Sequence, residues 1–317
     1  MVDIKRLHEE VKKILAKEDV KYVIGYQKGS YGFQTTPCFA STKDDVEKLM
    51  FSPLCIHNLA LYIKFEDGKD KVGVVVKGCD SRSLVQMIQE KRIPQDKLVV
   101  VGVPCTGMID PNKINDKFPN VLENIDVVEK NGEFVFTIDD KTQKIQKEEL
   151  VFDKCLHCEY PTPTICDILV GNKIKPLGQE DYKKIGNVEK KSLEEKWRFW
   201  EEQFEQCIRC YACRNVCPMC YCNECMAEQL NPQWIRRSVT LSENTAWNIM
   251  RAFHLAGRCT GCGECERVCP MNLPLMSLNK KVEKDVKELF DYTAGISVDG
   301  KPLLAMFKPD DSEEFIT

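Results

Sequence analysis

Two cysteine runs with the same spacing carry the clearest chemistry in this sequence. Both runs read C-x2-C-x2-C-x3-C-P. They comprise Cys207, Cys210, Cys213, Cys217 and Pro218 in the first copy, and Cys259, Cys262, Cys265, Cys269 and Pro270 in the second. Three closely spaced thiolates bind three corners of a [4Fe–4S] cube, and the fourth cysteine usually ligates the cube of the other copy. The repeat predicts two cubane clusters and a role in electron transfer.

Other uses of these cysteines explain the spacing less well. Disulfide frameworks belong to small secreted domains, whereas this sequence starts MVDIKRLHEE, without an apolar signal segment. Structural zinc would use two C-x2-C pairs and leave the cysteines of the C-x3-C-P segments without a role. A radical-type C-x3-C-x2-C triplet is present at Cys213, Cys217 and Cys220, but it shares two cysteines with the first run.

Two more cysteines follow apolar segments in the first half of the chain. Residues 71–76 and 98–103 are apolar runs that we interpret as buried strands of a mostly parallel sheet. Cys79 and Cys105 come directly after them. In an open α/β sheet, the strand ends line the crevice where ligands bind. We therefore expect both thiolates at one edge of the sheet.

A C-x2-C pair, Cys155 and Cys158, completes a possible third set of four cysteines. We predict that these two and the strand-end cysteines Cys79 and Cys105 hold a third [4Fe–4S] cube, with Cys55 and Cys166 as substitutes. The role of three further cysteines stays open between another cluster, with an outlier such as Cys38, and tuning of the first cube. These three are Cys220, Cys222 and Cys225.

The pattern along the chain predicts two domains of different texture. Strand–helix–strand steps in the first half indicate an α/β domain over residues 1–178, with a parallel sheet and a hairpin at Asn131-Gly132. After residue 179 the pattern is helical, and about forty residues separate the two cysteine runs. We expect residues 179–317 to form an all-helical ferredoxin domain with two [4Fe–4S] clusters.

A flavin site is predicted where the helix over residues 81–91 begins. Helix N-termini bind phosphates through free N–H groups and the helix dipole. The residues expected at a flavin pyrophosphate are Lys77, Gly78, Asp80, Ser81 and Arg82, and the loop that ends at Thr36 would cover the ring. The alternative is that Asp80 and Ser81 only cap the helix. No G-x-G-x-x-G follows a strand, so a standard dinucleotide fold is not indicated.

Composition excludes some functions. The formal net charge is −4 and charged residues make up 30% of the chain. Both signs are interleaved, without a basic stripe for nucleic acid. No apolar run reaches the ~20 residues that span a bilayer. We expect a soluble, cytoplasmic protein, and we find no hydrolase signature and no assignable catalytic residue.

Several short blocks resemble the beta-subunit family of deazaflavin (coenzyme F420) hydrogenases and formate dehydrogenases. They occur in family order between residues 20 and 175, and they are Gly78-Cys-Asp-Ser-Arg82, Val101-Gly-Val-Pro-Cys105, Lys154-Cys-Leu-His-Cys158 and Cys166-Asp-Ile-Leu-Val-Gly171. The resemblance implies FAD, one [4Fe–4S] cluster and a hydride-exchange site. Residues 205–275 look like the two-cluster module of heterodisulfide-reductase-type subunits, here placed at the C-terminal side and followed by extra cysteines.

The resulting hypothesis is an iron–sulfur flavoprotein, the beta subunit of a redox complex. It would pass electrons between a hydride carrier, deazaflavin or NAD(P), and a partner of the hydrogenase, formate dehydrogenase or heterodisulfide-reductase type. Since clusters move one electron and hydride carriers two, a flavin is the natural converter. Two alternatives stay open: a flavin-free relay that only connects partner proteins, and a scaffold with structural metal sites.

Overall fold

The computed structural model describes residues 2–63, 70–119, 121, 125–138, 141–178 and 182–306. The chain divides into two compact units, Met1–Glu180 and Asp181–Thr317. Among the described residues, no helix is both long enough and apolar enough to cross a bilayer. The assignment of the two units to a flavin domain and a cluster domain stays a prediction.

The first unit is built on a mixed five-stranded sheet. In spatial order its strands are β2 (Thr35–Ala40), β1 (Val20–Lys28), β3 (Lys71–Val76), β4 (Leu98–Gly102) and β8 (Ile168–Leu169). The last four are parallel, and only β2 pairs antiparallel, with β1. The predicted parallel sheet is therefore present, and its carboxyl edge collects the segments that follow β3, β4 and β8.

The sequence patterns of these strands explain their positions. Strand β3 is almost entirely aliphatic and buried, as expected for a strand covered on both faces. Helix α1 (Ile4–Leu15) packs Leu7, Val11 and Ile14 into the core on β1 and β3. The side chain of Asp3 accepts hydrogen bonds from the N–H groups of Lys5 and Arg6 and so starts this helix.

Two strands differ from the expectation. The segment 25–36 is not one polar loop, because β1 continues to Lys28 and β2 begins at Thr35. Thr36 pairs with Gln27 within this hairpin, so it lies on a strand and not in a loop over a ligand. The short strand β8 is not predicted by the sequence pattern either, since only two of its residues pair.

A second, three-stranded antiparallel sheet packs its own core in the first unit. It contains β5 (Asp126–Lys130), β6 (Glu133–Ile138) and β7 (Lys141–Gln146). The predicted turn is confirmed: Asn131 and Gly132 both have positive φ and join β5 to β6. Phe134 and Phe136 are fully buried in this core.

The first unit also contains short helices around the sheets. They are α2 (Lys43–Glu47), α3 (Gly78–Gln89), α4 (Pro111–Lys117), α5 (Lys147–Leu150) and α6 (Asp153–Leu156). Helix α3 begins three residues earlier than predicted, so Cys79 lies in its first turn.

The described residues of the second unit contain helices and no strand. The helices are α7 (Lys183–Glu189), α8 (Leu193–Glu205), α9 (Ala212–Asn215), α10 (Leu241–His254), α11 (Glu264–Arg267) and α12 (Leu275–Phe290). The charged segment predicted as one helix over 183–205 is divided into α7 and α8. Ser192 interrupts it by forming a capping box with Glu195 at the start of α8.

Candidate metal centres and ligand cavity

The two cysteine runs fold into the same loop. In each run the second and fourth residues after the first cysteine have left-handed backbone, at Arg209 and Tyr211 and again at Gly261 and Gly263. A four-residue helix follows each time, α9 in the first run and α11 in the second. The repeated spacing thus produces a repeated backbone, although only the second copy uses glycine at the left-handed positions.

The first copy places functional side chains at these strained positions. A left-handed backbone costs a non-glycine residue about 1–2 kcal/mol. The Tyr211 ring packs edge-on against Trp247, with centroids 4.9 Å apart. The Arg209 Nη2 group donates to Tyr211 Oη and to the carbonyl oxygen of Arg236, both at 2.8 Å. These contacts offset the strain.

Each run contributes to two cysteine-lined cavities in the second unit. The cysteines at the first cavity are Cys207, Cys210, Cys213 and Cys269. The cysteines at the second cavity are Cys217, Cys259, Cys262 and Cys265. Each cavity thus contains three cysteines of one run and the last cysteine of the other. This is the exchange of fourth ligands expected for nested bacterial-type clusters.

Polar groups left without partners also face these cavities. Arg209 lines the first cavity, and its Nε and Nη1 atoms are buried without a hydrogen-bond partner. Arg251 and Asn279 line the second cavity, and each has one buried polar atom of the same kind. The Asn279 Nδ2 group donates to Cys265 Sγ at 3.5 Å. Cationic and N–H donors suit a negatively charged thiolate cluster, so these residues fit the predicted groups.

Burial holds these thiols in their protonated form when nothing is bound to them. It raises the pKa of Cys259 to about 12, with the charge of Glu283 as the next cause. It also raises the pKa of Cys265, although the charge of Arg251 acts in the opposite direction. Since metal binds the thiolate, loading of this site must release protons.

The three extra cysteines lie in different surroundings. Cys220 hydrogen-bonds the thiol of Cys217, which lowers the pKa of Cys220. Cys225 packs with Trp247 and Ile235 in an apolar cluster. Cys222 is exposed. The three do not share a cavity with one another in the described structure, and the open question between a further cluster and tuning of the first one stays open.

In the first unit, electrostatic interactions connect the four cysteines predicted for a third cluster. Burial raises the pKa of Cys105 to about 12, and the negative charges of Cys155 and Cys158 raise it further. Burial also raises the pKa of Cys79, which interacts with Cys105 in turn. The structure thus collects the four thiols near the carboxyl ends of β3 and β4.

The two predicted substitutes lie elsewhere. Cys55 is buried and accepts a hydrogen bond from the Ser52 N–H at 3.3 Å, and its nearest strong charge is that of Lys77. Cys166 is exposed and is influenced mainly by Asp167 and Lys173. Among the described residues, no three His, Cys, Asp or Glu side chains converge on a point that would hold a single metal ion. The ligands of a cubane cluster instead lie at its four corners.

The turn predicted to hold a flavin pyrophosphate is filled by protein. Ser81 is fully buried, and its Oγ donates to the Gly78 carbonyl oxygen and accepts from the Thr164 N–H at 2.9 Å. A β-carbon at Gly78 would lie 1.6 Å from the Tyr160 carbonyl oxygen. No space is left for a phosphate beside these residues, so the alternative, a helix cap, fits the structure better.

The remaining predicted flavin residues have internal partners as well. Lys77 is buried, and its Nζ donates to Asp80 Oδ2 at 2.9 Å, to Tyr26 Oη at 2.5 Å and to the His57 carbonyl oxygen at 2.7 Å. Arg82 lies over the Tyr160 ring, 4.5 Å from its centroid. These side chains fix the start of α3 beside Cys79 instead of facing an open cavity.

Replacing Gly78 by Ala should destabilise the first unit by about 1–3 kcal/mol, as overpacking does elsewhere. The added methyl group meets backbone and not a movable side chain. Thermal unfolding followed by circular dichroism would measure the effect. Gly186→Ala is the matched control, because nothing lies within 4 Å of its β-position in α7. It should be neutral or stabilising by up to ~1 kcal/mol. Equal melting temperatures for the two variants would contradict this packing.

An open cavity of about 470 Å³ lies at the carboxyl edge of the main sheet. Its wall includes the segments after β4 and β8 and part of β5; the residues concerned include Phe51, Pro104, Thr106, Gly107, Met108, Val127, Glu129, Gly171, Asn172 and Lys173. This size is typical of a small-molecule site, and the wall is mostly apolar. None of the six predicted flavin residues lines it.

The cavity adjoins the third cysteine group. Pro104 and Thr106 line it, and Cys105 lies between them in the chain. The β-position of Gly107, another lining residue, is 3.5 Å from Cys155 Cβ. The signal that could have located this cavity is the rule that ligands bind beyond the carboxyl ends of parallel strands, applied to Val103–Met108 and to the residues after β8.

The four-cysteine cavities place the chain in the class of iron–sulfur proteins, and comparison with known families agrees. Residues 206–274 match the family "4Fe-4S dicluster domain". Residues 69–192 match the family that comprises the C terminus of the coenzyme F420 hydrogenase/dehydrogenase beta subunit. The chain therefore joins a domain of the F420 hydrogenase/dehydrogenase beta-subunit family to a dicluster domain. The family resemblance of the sequence blocks is confirmed. The likeness to heterodisulfide-reductase modules stays a prediction.

Similar proteins cover most of the chain. The F420-dependent formate dehydrogenase subunit beta of Methanocaldococcus jannaschii is 24% identical over 351 residues, which is 92% of this chain and 92% of the relative. The F420-dependent formate dehydrogenase 1 subunit beta of Methanococcus maripaludis is 26% identical over 355 residues, covering 92% and 91%.

One solved structure, of the F420-reducing [NiFe] hydrogenase complex from Methanosarcina barkeri, contains a chain that is 16% identical, with a TM-score of 0.38. The match covers 50% of this chain and 58% of that chain.

Proposed function

We propose that this chain is the electron-transferring beta subunit of a redox complex. It would exchange a hydride with a soluble deazaflavin carrier and pass single electrons through [4Fe–4S] clusters to a catalytic partner. The observation that carries the proposal is the open cavity beside the Cys105–Cys155 group, because a hydride carrier must bind next to an electron acceptor. The relatives named as F420-dependent formate dehydrogenase beta subunits support the choice of carrier.

The wall of the cavity suits a flat, amphipathic ring. Phe51, Val127 and Met108 offer apolar surface, while Thr106 and Glu129 offer polar atoms on one side. The Glu129 carboxylate is itself held by Lys147 at 2.8 Å and by the Thr106 hydroxyl. This fixed polar group would orient a ring that carries hydrogen-bonding nitrogen and oxygen atoms, and the apolar surface would exclude water from the transferred hydride.

Two cofactor groups would then divide the chemistry. Clusters supply one-electron transfer when bound, and a flavin would convert the two electrons of a hydride into single steps. The residues that would hold the clusters are the two nested sets in the second unit and the group Cys79, Cys105, Cys155 and Cys158. FAD is part of the proposal, with the cavity as its place in preference to the closed turn at Gly78.

The catalytic partner is proposed from the relatives' names and from the chain's own residues. The sequence carries no motif for formate or hydrogen chemistry, so the primary substrate would be handled by another subunit. A formate dehydrogenase-type partner is favoured because both of these relatives are named as subunits of such enzymes. Partners of the hydrogenase or heterodisulfide-reductase type are the alternatives.

A flavin-free relay is the second candidate function, and the closed turn at Gly78–Ser81 favours it. The visible spectrum of the anaerobically purified chain separates the two. A structured flavin band over broad iron–sulfur absorbance supports the flavoprotein. Broad absorbance alone supports the relay, and a scaffold with zinc would show neither.

Charge reversal at the cavity tests where the carrier binds. Lys173 is an exposed lining residue and the one basic side chain on the cavity wall among the described residues. Deazaflavin and nicotinamide carriers bear phosphates, so Lys173→Glu should raise the KM for reduced carrier about 5–10-fold, as loss and reversal of one partly screened charge predicts. The measurement is anaerobic reduction of the clusters by reduced deazaflavin coenzyme, followed by bleaching, with NADPH for comparison.

Lys175→Glu is the matched control, since Lys175 lies in the same exposed segment but outside the cavity wall. The control should keep the wild-type KM. A KM that changes equally in both variants would indicate general attraction of the anion, and an unchanged KM in both would place the carrier elsewhere. If neither carrier reduces the wild-type clusters, the proposed exchange of a hydride is wrong.

A further inference from the structure

Arg251, on α10, is a buried cation that contacts both predicted cluster sites of the second unit. It lines the cavity that contains Cys217 and Cys265, and only 6% of its surface is exposed. Its Nη2 group donates to the carbonyl oxygen of Cys213 at 3.1 Å. Cys213 belongs to the other cavity. One guanidinium therefore touches the protein around both sites.

This guanidinium lacks an internal counter-ion. Within the described ranges, no carboxylate lies within ion-pair distance of Arg251, and its Nε is buried without a hydrogen-bond partner. An unpaired buried charge costs several kcal/mol unless a nearby opposite charge compensates it. The groups that face the side chain are cysteines, which are neutral as thiols and negative as thiolates. The charge of Arg251 is thus matched only when those cysteines act as ligands.

We propose that Arg251 is a counter-charge shared by the two clusters, and that it makes both of them easier to reduce. The inference rests on the proposed assignment of the two four-cysteine sites. Reduction adds one electron and so one negative charge at a site, with no bond made or broken in the protein. A fixed cation at short range in a buried environment stabilises that added charge.

Arg209 provides an internal comparison at the first site alone. It lines the cavity of Cys207 and Cys213, is also 6% exposed, and has two buried nitrogen atoms without partners. Its remaining contacts are the Tyr211 hydroxyl and a backbone carbonyl, which are both uncharged. Because it lines one cavity only, its charge should act mainly on one cluster.

The test is a redox titration of the full chain, reconstituted anaerobically, with the spectrum of the reduced clusters as the readout. Arg251→Met should lower the equilibrium constant for reduction about tenfold at both C-terminal clusters, which is about 59 mV for each one-electron step. Arg209→Met should lower it at one of them. Arg251→Lys keeps the charge and should stay near wild type. Arg237→Gln, at an exposed arginine outside both cavities, is the control and should change nothing.

The outcomes separate the charge role from simple packing. Midpoint potentials unchanged in Arg251→Met with full iron content would overturn the proposal, and so would equal loss of iron in Arg251→Met and Arg251→Lys. Loss of iron in Arg251→Met that Arg251→Lys restores would support it. The cluster assignment is judged separately by the wild-type iron content, and a wild-type chain that binds no iron would overturn both proposals.

Discussion

Replacing Cys269 by Ala should remove the cluster of the first run while the cluster of the second run keeps its four ligands. Cys269 lies in the second run of the sequence, but it lines the cavity of Cys207, Cys210 and Cys213. A cube that loses one of four thiolates is expected to be lost or degraded. The expected result is a loss of about four irons per chain, with the spectrum of the other C-terminal cluster unchanged. Iron analysis and resonance spectra of the reduced protein would measure it.

Cys269 gives a cleaner test than its counterpart Cys217. The thiol of Cys220 hydrogen-bonds that of Cys217, so Cys220 could replace it as a ligand. Cys222→Ala is the matched control, because this cysteine is exposed and lines neither cavity. Damage confined to the cluster of Cys259, Cys262 and Cys265 would contradict the nested arrangement.

Replacing Cys105 by Ala should disconnect the hydride carrier from the C-terminal clusters. Cys105 belongs to the cysteine group beside the cavity, so its loss should reduce the iron content from about twelve to about eight per chain. Reduction by the deazaflavin carrier should fall more than 100-fold, because electrons lose the acceptor next to the hydride. Dithionite should still reduce the remaining clusters directly.

Cys166→Ala is the control for this experiment. Cys166 also follows the sheet region in sequence, but it is exposed and its main electrostatic partners are Asp167 and Lys173. It should keep all its iron and the wild-type reduction rate. If Cys105→Ala behaves like Cys166→Ala, the third cluster is absent, and the carrier must pass its electrons to another group.

Spacing and hydrophobic pattern are enough to predict the main outline of the chain. The aliphatic segments of β3 and β4, the turn at Asn131-Gly132 and the helical character of the second unit all depend on local sequence, and the structure contains each of them. The family resemblance is also visible in the sequence, because its blocks keep their order along the chain. The dicluster family match agrees with the repeated C-x2-C-x2-C-x3-C-P spacing.

The parts that the sequence does not predict depend on contacts between distant segments. Helix α3 begins at Gly78 because the loop at Tyr160 and Thr164 packs on its first turn, about 80 residues further along the chain. That loop fills the place predicted for a phosphate. The edge strand β2 replaces a predicted loop because its hairpin partner β1 extends beyond its apolar part. The cavity is formed by pieces of five separate segments, and no local pattern marks them as neighbours.

The distribution of cysteines between the two cavities has a consequence for biosynthesis. Neither site in the second unit has four cysteines from one continuous stretch. If the cavities hold clusters, the ribosome has made every ligand of the first site only when it has translated Cys269, more than fifty residues after Cys217. Cluster insertion would then follow synthesis of the whole second run. A chain truncated before that point would carry two incomplete sites, and the cell's assembly machinery could not complete either of them.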